Sequence, residues 1–182
     1  MFNIIEKLSN VFSLGQAADP IRVSDKLKES ILSNLDDGEE LIHIIRNSRA
    51  FYNAKAHRDK NTYYNSRCIL TNRRFLIIRN LDYFKLFREI QLPKITDHKI
   101  EKSKSEVIIT LISETGEDVI EFSKNMVSFA EEFSDIFSQT LKAAMDKYSI
   151  NKEGKIEKKC NNCGKFIAQE TKFCSDCGHK FY

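Results

Sequence analysis

Four cysteines in the last 23 residues constrain this chain more than any other feature. Cys160 and Cys163 form one C-x-x-C, and Cys174 and Cys177 form a second, ten residues on. Two residues between thiolates let one tight turn aim both sulfurs at a single ion. The spacing C-x2-C-x10-C-x2-C therefore suits tetrahedral Zn2+, which takes four soft or borderline ligands. A glycine follows the second cysteine of each pair, at Gly164 and Gly178. Glycine tolerates positive φ, so the backbone there can turn its N–H groups toward sulfur. The halves match as Cys163-Gly164-Lys165-Phe166 against Cys177-Gly178-His179-Lys180-Phe181. The expected ligands are Cys160, Cys163, Cys174 and Cys177, around one structural Zn2+ with no open position.

Other uses of the cysteines fit less well. Two disulfides need an oxidising compartment, and a redox C-x-x-C needs a βαβ setting that the pattern lacks. Four cysteine thiolates also suit an iron–sulfur cluster, which stays open as a minor alternative. His179 could stand in for Cys177, but the two matched halves favour the cysteine. Cys68 falls in a strand pattern and reads as a small buried hydrophobe.

Upstream, the hydrophobic period changes twice. Residues 2–14 place Ile4, Ile5, Leu8, Val11 and Phe12 at helical spacing, and a second helix runs from a Ser24 cap to about Asn34. From Glu40 the pattern becomes that of strands, at 40–52, 65–71, 74–80, 83–91, 95–102, 105–113 and 118–122. Seven short strands in succession imply an antiparallel barrel or sandwich. A helix over about 125–148 follows. Its stripe of Met126, Phe129, Ala130, Phe133, Ile136, Phe137, Leu141, Ala144 and Met145 suits the plug of an open barrel end. Residues 149–159 are polar and read as a linker. The expected divisions are a helical segment at 1–36, the strand-rich domain at 37–148, the linker at 149–159 and the metal module at 160–182.

Two resemblances sharpen this. Residues 159–182 resemble the zinc-ribbon family found at the ends of many bacterial proteins, with its C-x-x-C-G and F-C-x-x-C-G knuckles. That likeness implies zinc, and its members bind nucleic acid, bind protein or act as small folded modules. Residues 37–147 look like the bacterial PH-like (pleckstrin-homology-like) family. The likeness rests on the Leu70–Leu76 hairpin LTNRRFL, on the apolar-L-P-K-I stretch around Ile90–Ile95, and on Gly38-Glu39-Glu40 before the first strand. It implies a mainly β fold: a seven-strand, partly open barrel closed by a C-terminal helix.

In PH-like folds ligands often approach near the loop between the first two strands, here about Asn53–Tyr64. Lys55, His57, Arg58 and Lys60 lie in it, with Tyr63 and Tyr64 beside them. Residues 53–79 hold seven Lys or Arg and one Asp, a net of +6. Lys55, Arg58, Lys60 and Arg73 are the candidate anion-binding residues, since such cations hold phosphates. Arg73 and Arg74 are adjacent and point to opposite faces of a strand, so at most one of them reaches a shared ligand.

Charge and motifs limit the remaining classes. The formal net charge is +3. Four thiolates with one Zn2+ bring a further −2, so the metallated chain stands near about +1. That is weak support for nucleic acid. No apolar run approaches the roughly 18–20 residues of a membrane-spanning helix. Residues 1–14 do not read as a signal peptide, because Glu6 and Lys7 interrupt the apolar stretch. No glycine-rich phosphate loop and no G-x-S-x-G or H-E-x-x-H is present. The expectation is a cytoplasmic, non-enzymatic binding or scaffolding protein with a protein partner. Peripheral binding to anionic lipid through residues 2–14 and the basic loop is the alternative, followed by nucleic-acid binding. A homo-oligomer is compatible with all three.

Overall fold

A computed structural model of the protein describes residues 23–54, 60–151 and 153–181, with Lys60 described through its backbone alone. The expected helix over residues 2–14 lies outside the described residues, as do Lys55, His57 and Arg58.

Helix α1 (Asp25–Leu32) starts where Ser24 Oγ accepts the Leu27 N–H at 3.2 Å. Seven strands follow: β1 (Leu41–Ala54), β2 (Lys60–Thr71), β3 (Arg74–Arg79), β4 (Leu86–Gln91), β5 (Ile95–Lys102), β6 (Glu106–Ser113) and β7 (Gly116–Ser123). Helix α2 (Val127–Lys147) comes next. The strands form one antiparallel sheet in the order β4-β3-β2-β1-β7-β6-β5. The long β1 pairs with β2 along nearly its whole length and with β7 along its second half. The sheet thus curls around one core, but β4 and β5 remain unpaired edges and the barrel is not closed. A single 3-10 turn, Leu92–Lys94, joins those two edges. This is the seven-strand, helix-closed order that the PH-like resemblance implies.

Burial follows from the alternation of strand side chains. Ile45, Cys68, Leu70, Phe75 and Ile77 face the inner core with Ile109, Ile120 and Phe122. Helix α2 plugs that core with Ala130, Phe133, Phe137, Leu141 and Ala144. Phe133 packs tilted against Phe75 and Phe122, and Phe137 meets Phe75 edge-on at 5.8 Å. Met145, placed on the apolar stripe by its spacing, is exposed instead. The outer face of strands 1–3 is also covered: Ile44, Ile69, Leu76 and Ile78 pack under Val23, Leu27 and Ile31. Burial on both faces explains why these strands carry unbroken apolar runs. Cys68 is fully buried, and burial pushes its thiol well above the usual range.

Two expectations change. The loop read as Asn53–Tyr64 is shorter, because Lys60–Tyr64 belong to β2 and pair with Arg49–Asn53. Tyr63 stacks on Phe87 at 4.8 Å and is held there, whereas Tyr64 is 68% exposed. Residues 149–159, read as a linker, hold β8 (Tyr148–Ile150) and β9 (Ile156–Lys159), which form an antiparallel hairpin. The turn between them is made by Gly154 at φ +74° and by Asn151 Oδ1, which accepts from the Glu153 and Lys155 N–H groups. β10 (Phe166–Ala168) adds to β9 as a third strand. Polar composition hid this hairpin. Of its three apolar members, Tyr148 and Ile156 are spent on packing against the barrel core and Ile150 is exposed.

Candidate metal centre and the basic cleft beside it

The cysteine quartet is assembled by two knuckles of the same build. In the first, the Cys160 N–H donates to Lys165 O and the Gly164 N–H to Cys160 O, both at 2.8 Å. In the second, Cys174 N–H donates to His179 O at 2.8 Å and Gly178 N–H to Cys174 O at 2.9 Å. Gly164 (φ +76°) and Gly178 (φ +69°) each reverse the chain in the left-handed region, where a Cβ is strained. That reversal aims the next N–H at the second sulfur of each knuckle: Lys165 donates to Cys163, and His179 to Cys177. The first cysteine of each pair is buried and the second is exposed.

All four sulfurs lie within 4.8 Å of one another. Cys160 and Cys177 are 3.7 Å apart, Cys163 and Cys174 3.6 Å. Zinc–sulfur bonds of about 2.3 Å in a tetrahedron put sulfurs about 3.8 Å apart. Both of these separations match that ion, and the other sulfurs lie close enough to join it. Asn162 and then the His179 N–H pull the Cys177 thiol down to about 6. Cys163 moves the other way, to about 12: the Lys165 N–H lowers it, and desolvation with hydrogen bonding among the four sulfurs outweighs that. The quartet thus shares protons that a metal displaces. His179 turns its ring edge-on to Phe181, and the cluster consists of the four cysteines.

The candidate anion residues separate. Lys60 begins β2, and Arg73 lies just past its other end. A twelve-residue strand runs roughly 35 Å at about 3.3 Å per residue, so Lys60 and Arg73 cannot share one ligand. The basic segment looked continuous because sequence distance ignores strand rise.

Arg73 and its neighbour Arg74 take different roles. Arg74 is spent in a buried ion pair: its guanidinium donates to both oxygens of Glu39, and to Glu89 at 3.2 Å. Thr71 Oγ1 donates to the same Glu39 carboxylate at 2.6 Å. Arg73 faces a cleft of about 730 Å³ between the turn after β2, the end of α2 and the ribbon. Its Nε is buried and has no hydrogen-bond partner among the described residues. Lys147, Lys158 and Lys159 line the same cleft. Lys158 donates to Thr171 O at 2.6 Å and lies 4.2 Å from the Phe181 ring. Burial, and then the like charge of Arg73, lowers its ammonium below the usual range. Sequence reading missed Lys147 and Lys158, one as a helix end and the other as linker. The Asn151–Gly154 turn, followed by the alternation Ile156-Glu157-Lys158, was the available signal.

The sequence model of the zinc-ribbon domain matches residues 156–181. Its first residue is the start of β9, not the first cysteine, in keeping with the hairpin above. A search of curated proteins returns no match. Among solved structures, the Vps36 N-terminal PH domain is 19% identical, with 60% of this chain and 82% of that one covered and a TM-score of 0.40. The PH and C1 domains of the Vav1 exchange factor are 11% identical, at a TM-score of 0.43; 97% of this chain and half, 50%, of that one are covered. The DH/PH domains of p115-RhoGEF are 12% identical at a TM-score of 0.39, over 74% of this chain and 39% of that one.

Proposed function

We propose that this chain, a PH-like barrel ending in a zinc ribbon, is a non-enzymatic binding protein. It holds one structural Zn2+ and presents barrel and ribbon together to a protein partner in a reducing, cytoplasmic setting. The observation that carries this reading is the anchoring of the ribbon. Tyr148 and Ile156 pack into the barrel core on either side of the β8–β9 turn, so the two modules meet a partner as one surface without slack. Pre-organisation of this kind lowers the ordering penalty of association. Four thiolates fill the tetrahedron, which leaves no position for water or substrate and makes the metal structural. On the ribbon, Phe173 is 55% exposed with the Lys180 ammonium 6.0 Å from its ring. Aromatic residues of this sort anchor protein interfaces. The lipid reading rests on residues 2–14 and 55–60, of whose side chains nothing is described, and it gains no supporting observation.

A photo-crosslinking residue at position 173, in cells that make the protein, tests the proposal. One dominant crosslinked protein, lost when Cys174→Ser removes the metal, is the expected result. Crosslinks to nucleic acid, or none in folded, zinc-loaded protein, would overturn it. Native mass spectrometry of protein purified without added metal should find one zinc per chain. Two, or none in folded protein, contradicts the closed four-cysteine site.

A further inference from the structure

Three of the partly buried arginines each have a carboxylate. Arg49 pairs with Glu121, Arg74 with Glu39 and Arg88 with Asp118. Arg73 is different. Its backbone is fixed, the N–H donating to Thr71 Oγ1 and the carbonyl accepting from the Leu92 N–H. Its guanidinium lies against Gly38, where an added Cβ would come within 3.2 Å. Yet its Nε is buried and unsatisfied. A buried donor without a partner is unfavourable and calls for a partner that satisfies it. Lys147 and Lys158 line the same cleft as Arg73, so the three cations share one field. Lys159, Lys172 and Lys180 extend it around the cleft, against Asp36, Asp37 and Glu170. Converging cations repel one another in the folded state, and that repulsion is relieved when a multiply charged anion sits among them.

We propose that this cleft binds the phosphoryl group of a small phosphorylated molecule, held by Arg73 and Lys147 in the field of Lys158. The planar guanidinium supplies paired N–H donors that match phosphate oxygens, and the ammonium supplies a compact charge. The volume of about 730 Å³ suits a small molecule, since such sites run about 300–1,000 Å³. Tyr148 and Phe181 offer the body of the ligand an apolar wall beside the anion. The barrel contributes Arg73 and the ribbon contributes Lys158, so the site exists only while the metal keeps the ribbon folded.

Calorimetric titration with inorganic pyrophosphate and with AMP, at low salt, tests this on the full zinc-loaded chain. Both should bind. Tighter AMP would show that the aromatic wall holds the organic part, and equal affinity that the phosphoryl group alone is recognised. Arg73→Gln and Lys147→Gln should each weaken pyrophosphate at least tenfold, while Lys104→Gln, an equal charge change on the exposed β5–β6 turn, leaves it unchanged. Circular dichroism of each variant checks that it is folded. Metal removal by a chelator should abolish binding. Absence of binding, equal weakening by Lys104→Gln, or binding that survives chelation would each overturn the site.

Discussion

Chelating the metal is expected to unfold residues 156–181 and to leave the seven-stranded sheet standing. The ribbon's own core is Cys160, Ile167 and Cys174, with Phe181 partly buried beside them. Two of those three belong to the cysteine quartet, which leaves one fully apolar buried side chain. Burying an isoleucine contributes about 2–3 kcal/mol. Structural zinc in comparable small modules contributes about 10–16 kcal/mol at neutral pH. Metal binding and folding of the ribbon are therefore one equilibrium. The barrel core is of another order, with Phe75, Phe122, Phe133 and Phe137 fully buried between sheet and α2. Hydrogen exchange read by mass spectrometry separates the two. Peptides from 156–181 should lose protection on chelation or in Cys174→Ser, while those from β1, β2 and β7 keep theirs. Loss of protection across the sheet would mean that the ribbon holds the barrel together. The region between them, β8 and the turn that follows it, should lose protection part-way, because Tyr148 belongs to the barrel core.

Glu39→Gln is expected to destabilise the barrel by about 3–5 kcal/mol, the usual effect of removing one partner from a buried ion pair. For a domain of this size that lowers Tm by roughly 6–20 °C. The Glu39 side chain is fully buried and Arg74 is 13% exposed. Removing the carboxylate strands the guanidinium, with Glu89 at 3.2 Å and Asp36 at 3.8 Å as its remaining neighbours. Replacing both residues by apolar ones of similar volume, Glu39→Met with Arg74→Leu, should recover most of the loss, because no charge is left buried. A single Glu39→Gln effect below about 1 kcal/mol would mean that water screens the pair as it does at a surface.

The same carboxylate makes a pH prediction. Burial pushes Glu39 up, but hydrogen bonds from Arg74, Thr71 and the Asp36 N–H more than offset it, and its pKa falls below the ordinary value of 4.5. A group held lower in the folded than in the unfolded state adds stability above its unfolded pKa and loses it as pH falls through its folded one. Stability measured from pH 7 downward should therefore stay level with respect to this group until about pH 4.5 and then drop. The drop should be smaller in Glu39→Gln, measured by urea denaturation at each pH. Asp118 works in the opposite sense. Burial raises its carboxyl even with the Arg88 guanidinium attached at 2.8 and 3.0 Å, so its ionised form opposes folding as pH rises.

Elements with local signals could be read from the chain before any fold was known. The ribbon was legible because each knuckle needs only two cysteines with two residues between them and a glycine at positive φ. The strands of the barrel and the helix after them were legible because their apolar periods repeat over several residues. Signals spread across chain contacts were not. The β8–β9 hairpin read as a linker because its apolar residues are few and two of them, Tyr148 and Ile156, are used against the barrel. Only the packed fold distinguishes Arg73 from Arg74. Both follow the same turn with the same chemistry, but Glu39 captures the Arg74 guanidinium and leaves Arg73 facing the ribbon. Packing also brought Arg73, Lys147 and Lys158 into one cleft, from a hairpin turn, a helix end and a ribbon strand. Local sequence carries torsional and periodic preferences. Which charges meet from distant parts of the chain depends on how the packed elements are placed, and no short segment encodes that.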